Sequence, residues 1–170
     1  MNDASPLTWS LLLADAGQTA ALGAALARAL KTQPGAVIHL QGDLGAGKTT
    51  LARGFLQALG VKGRVRSPTY TLMEPYELPG GMALHMDLYR LADPLELHNL
   101  GLGDYPADRT LWLVEWPERG GALLPRADLQ LALTAEGEGR RVELRLDQRL
   151  RDRLQRPLTD ELREFLKVEH

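Results

Sequence analysis

The sequence predicts an α/β fold, a three-layer domain with a central mixed sheet and added β-hairpins. Three observations predict it. Gly42-Asp43-Leu44-Gly45-Ala46-Gly47-Lys48-Thr49 reads G-x-x-x-x-G-K-T, the phosphate-binding loop pattern. A short apolar run precedes that loop and a helical apolar repeat follows it, which is the strand–loop–helix order the pattern needs. Further on, extended runs are separated by the turn-forming stretches Pro79-Gly80-Gly81 and Glu136-Gly137-Glu138-Gly139. The domain is therefore P-loop NTPase-like.

Each element has a local reason. Thr8–Leu13 reads as a first strand and Asp15–Gly17 as a turn. Thr19–Lys31 carries Leu22, Leu26 and Leu30 at helical spacing on an alanine-rich background, and Pro34-Gly35 ends it. Ala36-Val37-Ile38-His39-Leu40 is apolar and β-branched, as a buried parallel strand should be. After the loop, Leu51, Phe55 and Leu59 define a helical face, with Gly60 at the expected C-cap.

Val61–Ser67 is a basic connection with Lys62, Arg64 and Arg66. Thr69–Leu78 is β-rich, and Met82–Tyr89 is the next strand, paired with it across a turn that is not a two-residue type. Pro94–Leu100 suits a short helix capped by Asp93. Leu111–Trp116 is a strongly apolar strand closed by Pro117. Asp128–Thr134 and Arg140–Asp147 form the last hairpin, and a helix at about 157–167 presents Leu158, Leu162 and Leu166. The 170 residues suit one domain with its core at about 8–147.

Composition sets bounds on function. The hydrophobic fraction is 44% and the charged fraction 25%, as in ordinary soluble proteins. A net charge of −2 offers no general attraction to nucleic acid or anionic membrane. No cysteine is present, so there is no disulfide and no thiolate chemistry, which fits a reducing compartment. Met1–Pro6 lacks a basic leader region, and no apolar run is long enough to span a membrane. The expected location is cytoplasmic.

The chemistry centres on the loop. Glycines open backbone conformations that let successive N–H groups turn inward around an anion. Lys48 reaches the β- and γ-phosphates, Thr49 can ligate Mg²⁺, and a helix beginning at Lys48 adds its positive end. Acidic residues at strand C-termini are the expected partners of metal or water, and Glu115 and Asp87 end two apolar strands. Asp43 either positions a ligand or is a solvated loop tip. Lys62–Arg66 is either a switch over the γ-phosphate or a solvated connection. His85 reads as a packed histidine, and Trp112 and Trp116 as core or edge aromatics. No N-K-x-D motif appears, so ATP is expected rather than GTP.

Four motifs occur in order: GDLGAGKTT (42–50), SPTYTL (67–72), HMDLYRL (85–91) and VEWP (114–117). Together they resemble the TsaE family of bacterial ATPases, which serve threonylcarbamoyladenosine modification of tRNA. The resemblance implies that Gly42, Asp43, Leu44, Gly45, Ala46, Gly47, Lys48, Thr49 and Thr50 hold the ATP phosphates and that Thr49 holds Mg²⁺. It further implies a switch-like segment at Ser67, Pro68 and Thr69, with Asp87 and Glu115 as acidic partners of metal or water and a nucleotide contact at Thr19. Lys48, Asp87 and Glu115 are the expected catalytic residues. The family works with TsaB and TsaD, and tRNA is reached through that complex. Two other functions fit the loop alone: a stand-alone small-molecule kinase, and a binding module that senses nucleotide.

Overall fold

Alternating burial shapes the first strand, β1 (Leu7–Leu13), whose Leu11 and Leu13 face the core while Ser10 and Leu12 face out. The computed structural model describes residues 5–166. The expectations for Met1–Ala4 and for the helical residue Lys167 lie outside those residues. Helix α1 (Ala16–Leu30) begins earlier than its apolar repeat indicates. Asp15 caps it by accepting from the Gln18 N–H at 2.8 Å, and this converts the expected 15–17 turn into the first helical turn. Then come β2 (Ala36–Gln41), helix α2 (Lys48–Ala58), β3 (Met73–Leu78) and β4 (Gly81–Asp87). The chain closes with β5 (Thr110–Glu115), β6 (Leu129–Glu136), β7 (Gly139–Leu146) and helix α3 (Arg151–Leu162).

The described strands form one mixed sheet in the order β1-β7-β6-β2-β5-β4-β3. β6, β2, β5 and β4 run parallel, while β3 and β7 pair antiparallel with their neighbours. Parallel central strands are buried on both faces, which is why β5 (TLWLVE) has every residue buried. One face packs Ile38, Leu40 and Leu113 against Leu22, Leu26, Leu51 and Phe55, and Leu154, Leu158 and Leu162 of α3 join the same cluster. The other face packs Val37, Leu84, Met86, Trp112 and Val114 beneath Leu88, Leu91 and Leu97. That second covering layer is built from short 3₁₀ turns. Pro94–Asn99 is one of them, with Asp93 and Glu96 forming a capping box.

Several boundaries differ from the sequence expectations for physical reasons. Gly81 pairs with Leu78, so the β3–β4 turn has only the two residues Pro79-Gly80. Residues 69–72 are not strand, because the Ser67 and Thr69 hydroxyls reach Asp87 and hold the segment in a turn. α3 starts at Arg151 and runs through Pro157, and Leu166 lies beyond it, 45% exposed. Leu154 is fully buried and extends the apolar face one turn before Leu158. Among the described residues no helix is long and apolar enough to cross a membrane.

Helix α2 is fixed by an unusually close approach to α1. A Cβ on Gly23 would sit 2.2 Å from the Leu51 carbonyl oxygen, and one on Gly54 would sit 2.2 Å from that of Ala20. Only glycine permits this backbone-to-backbone contact. Gly54→Ala should raise intrinsic helix propensity by about 1 kcal/mol. The clash should outweigh that gain and destabilise the protein by about 1–3 kcal/mol in denaturant unfolding. A neutral or stabilising Gly54→Ala would show that the helices are free to separate.

Candidate functional site

Parallel register decides where the acidic strand ends fall. Leu40 of β2 pairs with Glu115 of β5, and Glu115 pairs with Asp87 of β4. Two carboxylates thus stand side by side where β2 runs into the glycine-rich loop. Alternation along β4 places His85 on the same face as Asp87, two residues earlier.

The side chains form two linked clusters. The Thr49 hydroxyl donates to Glu115 Oε1 at 2.8 Å, and Glu115 Oε2 lies 2.6 Å from His85 Nε2. Asp87 Oδ2 accepts from Ser67 Oγ at 3.0 Å and Thr69 Oγ1 at 3.2 Å, while Oδ1 accepts from the Tyr89 N–H at 3.0 Å. Both carboxylates and His85 are buried. Each carboxylate keeps hydrogen-bond partners, as a buried charge must. Leu72, at φ +67°, closes the turn that lays Ser67–Thr69 over Asp87. Its N–H donates to the Pro68 carbonyl at 2.8 Å, and its carbonyl accepts from the Asp87 N–H at 3.0 Å.

The loop side has the opposite polarity. Gly47 stands at the N-cap of α2 with φ +107°, a conformation that favours glycine, and no side chain caps the helix. Its first N–H groups are therefore left for an anion. Lys48 is buried, and its ammonium donates to the Gly42 carbonyl and, at 2.9 Å, to that of Asp43. Burial pushes the Lys48 pKa below its ordinary value, with the Glu115 and Asp87 charges opposing the shift. The same ammonium lies 4.4 Å from the centre of the Trp116 ring. Trp116 leaves the strand with φ 56° and ψ 49°, and Tyr89 packs against it at 5.1 Å.

Leu44, Gly45, Gly47, Lys48, Thr49, Thr50, Ser67, Thr69, Asp87 and Glu115 line one open cleft of about 430 Å³, together with Tyr89, Arg90 and Trp116. Gly42, Asp43 and Ala46 border a smaller depression behind the loop. Thr19 is buried, with its hydroxyl 3.2 Å from the Asp15 carbonyl and its methyl facing Gly47. It supports the loop from behind and does not line the cleft. His85 and Trp116 belong to the site although their local sequence reads as packing. The period-two spacing to Asp87 was a usable signal for His85. For Trp116 the left-handed exit from β5 carried none.

The chain thus has a P-loop NTPase-like α/β fold, with acidic residues on neighbouring parallel strand ends facing its loop. Residues 13–142 match the family model described as threonylcarbamoyl adenosine biosynthesis protein TsaE. The chain belongs to the TsaE family. It is 49% identical over 115 residues to the tRNA threonylcarbamoyladenosine biosynthesis protein TsaE of Haemophilus influenzae, covering 68% of this chain and 73% of that one. The protein of the same description from Treponema pallidum is 35% identical over 127 residues, covering 74% and 91%. The crystal structure of YdiB from Bacillus subtilis superposes with a TM-score of 0.72 at 28% identity, over 94% of this chain and 97% of that one.

The lysine–tryptophan contact can be read optically. Lys48→Met should change the Trp116 emission, and the change should vanish in a Trp116→Phe background, where Trp9 and Trp112 are the remaining indoles. An emission spectrum untouched by Lys48→Met would contradict the ammonium's seat over the ring.

Proposed function

We propose that this protein is a Mg²⁺-dependent ATP-binding and ATP-hydrolysing subunit, working in the cytoplasm with TsaB and TsaD in threonylcarbamoyladenosine modification of tRNA. The family role in that modification follows from membership; the ATPase activity and the two partners are the proposal. The observation that carries it is the 2.8 Å bond from Thr49 to Glu115, which joins the loop's threonine to the acidic strand end.

The donor set suits Mg²⁺. Thr49, Glu115 and Asp87 offer hard oxygen atoms, the ligands this ion prefers. Among the described residues no group of three or more His, Cys, Asp or Glu converges as a metal site. An ion here would thus be completed by phosphate oxygens and water, the usual Mg²⁺ arrangement with nucleotides. When bound, it would offset negative charge on the β- and γ-phosphates.

The chain's own groups then have defined work. Lys48 exchanges the Gly42 and Asp43 carbonyls for phosphate oxygens, a better match for an ammonium. The uncapped N–H groups of α2 hold the phosphate chain and stabilise charge as the terminal bond breaks. Glu115, oriented by His85, or Asp87, oriented by Ser67 and Thr69, accepts a hydrogen bond from the attacking water and aligns it. Arg90, the cleft-lining arginine, stacks 4.6 Å from the Tyr70 ring, and no arginine bonds to the loop from the cleft side among the described residues. Slow hydrolysis by the isolated subunit follows, with stimulation by its partners.

ATP turnover measured with and without purified TsaB and TsaD tests this. Turnover should rise on adding the pair, and Glu115→Gln should lower the stimulated rate by about a hundredfold or more. Equal, fast rates with and without the pair would overturn the partner assignment. An undiminished Glu115→Gln rate would remove Glu115 from the chemistry.

A further inference from the structure

The phosphate loop is gripped from behind by a side chain that the four motifs do not include. Arg140, the second residue of β7, donates from Nε to the Ala46 carbonyl at 2.8 Å and from Nη2 to the Gly45 carbonyl at 2.9 Å. Its third arm, Nη1, donates to the Gly139 carbonyl at 2.7 Å and sets the orientation of the guanidinium plane. The strand beneath is well anchored, because Arg140 pairs with Leu13 of β1 on one side and Ala135 of β6 on the other. A planar fork with parallel N–H donors on a braced strand therefore meets two consecutive carbonyls of the most glycine-rich part of the loop.

The geometry of the peptide unit gives this grip a consequence. In a trans peptide the N–H points opposite to the preceding carbonyl, and the described chain has no cis peptide bonds. Holding the Ala46 carbonyl toward Arg140 turns the Gly47 N–H the other way, toward the cleft side of the loop. Gly45, at φ +77°, and Gly47, at φ +107°, flank the held units, and glycine gives them little intrinsic restraint. We infer that Arg140 is a positioning residue for the phosphate loop: its guanidinium fixes the Gly45 and Ala46 peptide planes so that the Gly47 amide faces the phosphate chain before it binds. The inference rests on the proposed nucleotide site and adds a residue on β7, more than ninety positions along the chain from the loop it holds.

Lysine cannot replace this fork, because an ammonium lacks two parallel donors in a fixed plane. Loss of charged hydrogen bonds to the loop should weaken binding of a non-hydrolysable ATP analogue about tenfold in Arg140→Ala. Arg140→Lys, which also serves if the alanine variant folds poorly, should fall between Arg140→Ala and wild type. Arg145→Ala is the control, since it removes the same charge from an exposed position on the same strand. A second readout needs no ligand: the ¹H–¹⁵N resonances of Gly45, Ala46 and Gly47 should shift or broaden in Arg140→Ala and stay in place in Arg145→Ala.

Analogue affinity in both Arg140 variants within twofold of the control would overturn the inference. So would unperturbed loop amides. If the wild-type protein itself bound no analogue, the proposed function would fail, and the loop resonances alone would decide whether Arg140 sets the loop's conformation.

Discussion

The parallel register of β2, β5 and β4 is the constraint on which the rest of the site depends. It brings Leu40, Glu115 and Asp87 level with one another at the point where β2 gives way to the loop. A one-residue slip in either pairing would send a carboxylate to the opposite face, into the cluster of Val37, Met86 and Trp112. The register is therefore protected by the two apolar clusters that the strands bury. Core packing and site geometry are one problem here.

Burying two carboxylates beside each other is costly unless their oxygens are engaged. The structure engages them with neutral donors from several directions: Thr49 from α2, Ser67 and Thr69 from the connection, and the Tyr89 backbone N–H. His85 supplies a ring nitrogen to Glu115 from the same strand that carries Asp87. These contacts also tie the loop, the connection and the strand ends together, so a ligand that takes over any one oxygen must rearrange its neighbour. The Ser67–Thr69 segment is the clearest example, since both hydroxyls converge on the same Asp87 oxygen and lie 2.9 Å from each other. Lys48 stands apart from these bonds, its ammonium held on loop carbonyls and over the Trp116 ring.

What was legible in the sequence was local. The strand–loop–helix unit is contiguous, and Asp87 and Glu115 stand out because each ends an apolar run. The short apolar runs of β2 and β5 and the final hairpin were readable for the same reason. What was not legible depends on distant contacts. Thr69–Leu72 has strand-like composition, yet its hydroxyl bonds to Asp87 hold it in a turn. Gly23 and Gly54 look like weak helix residues until the α1–α2 approach gives them a purpose. Arg140 shares the inward face of Val142 and Leu144 by alternation, but nothing near it in sequence shows that the loop lies against that face. His85 shares the face of Asp87 by its period-two spacing, but its partner Glu115 lies thirty residues away and that contact was not legible.

The central claim is that Gly42–Thr50 with Glu115 and Asp87 forms one Mg²⁺–ATP site. Calorimetric titration of the purified protein with ATP, with Mg²⁺ present and after chelation, tests it most directly. The account predicts one ATP per chain, tighter binding with Mg²⁺, weaker binding of GTP, and loss of binding in Lys48→Ala. Absence of ATP binding by the wild-type protein, or affinity indifferent to both Mg²⁺ and Lys48, would contradict it.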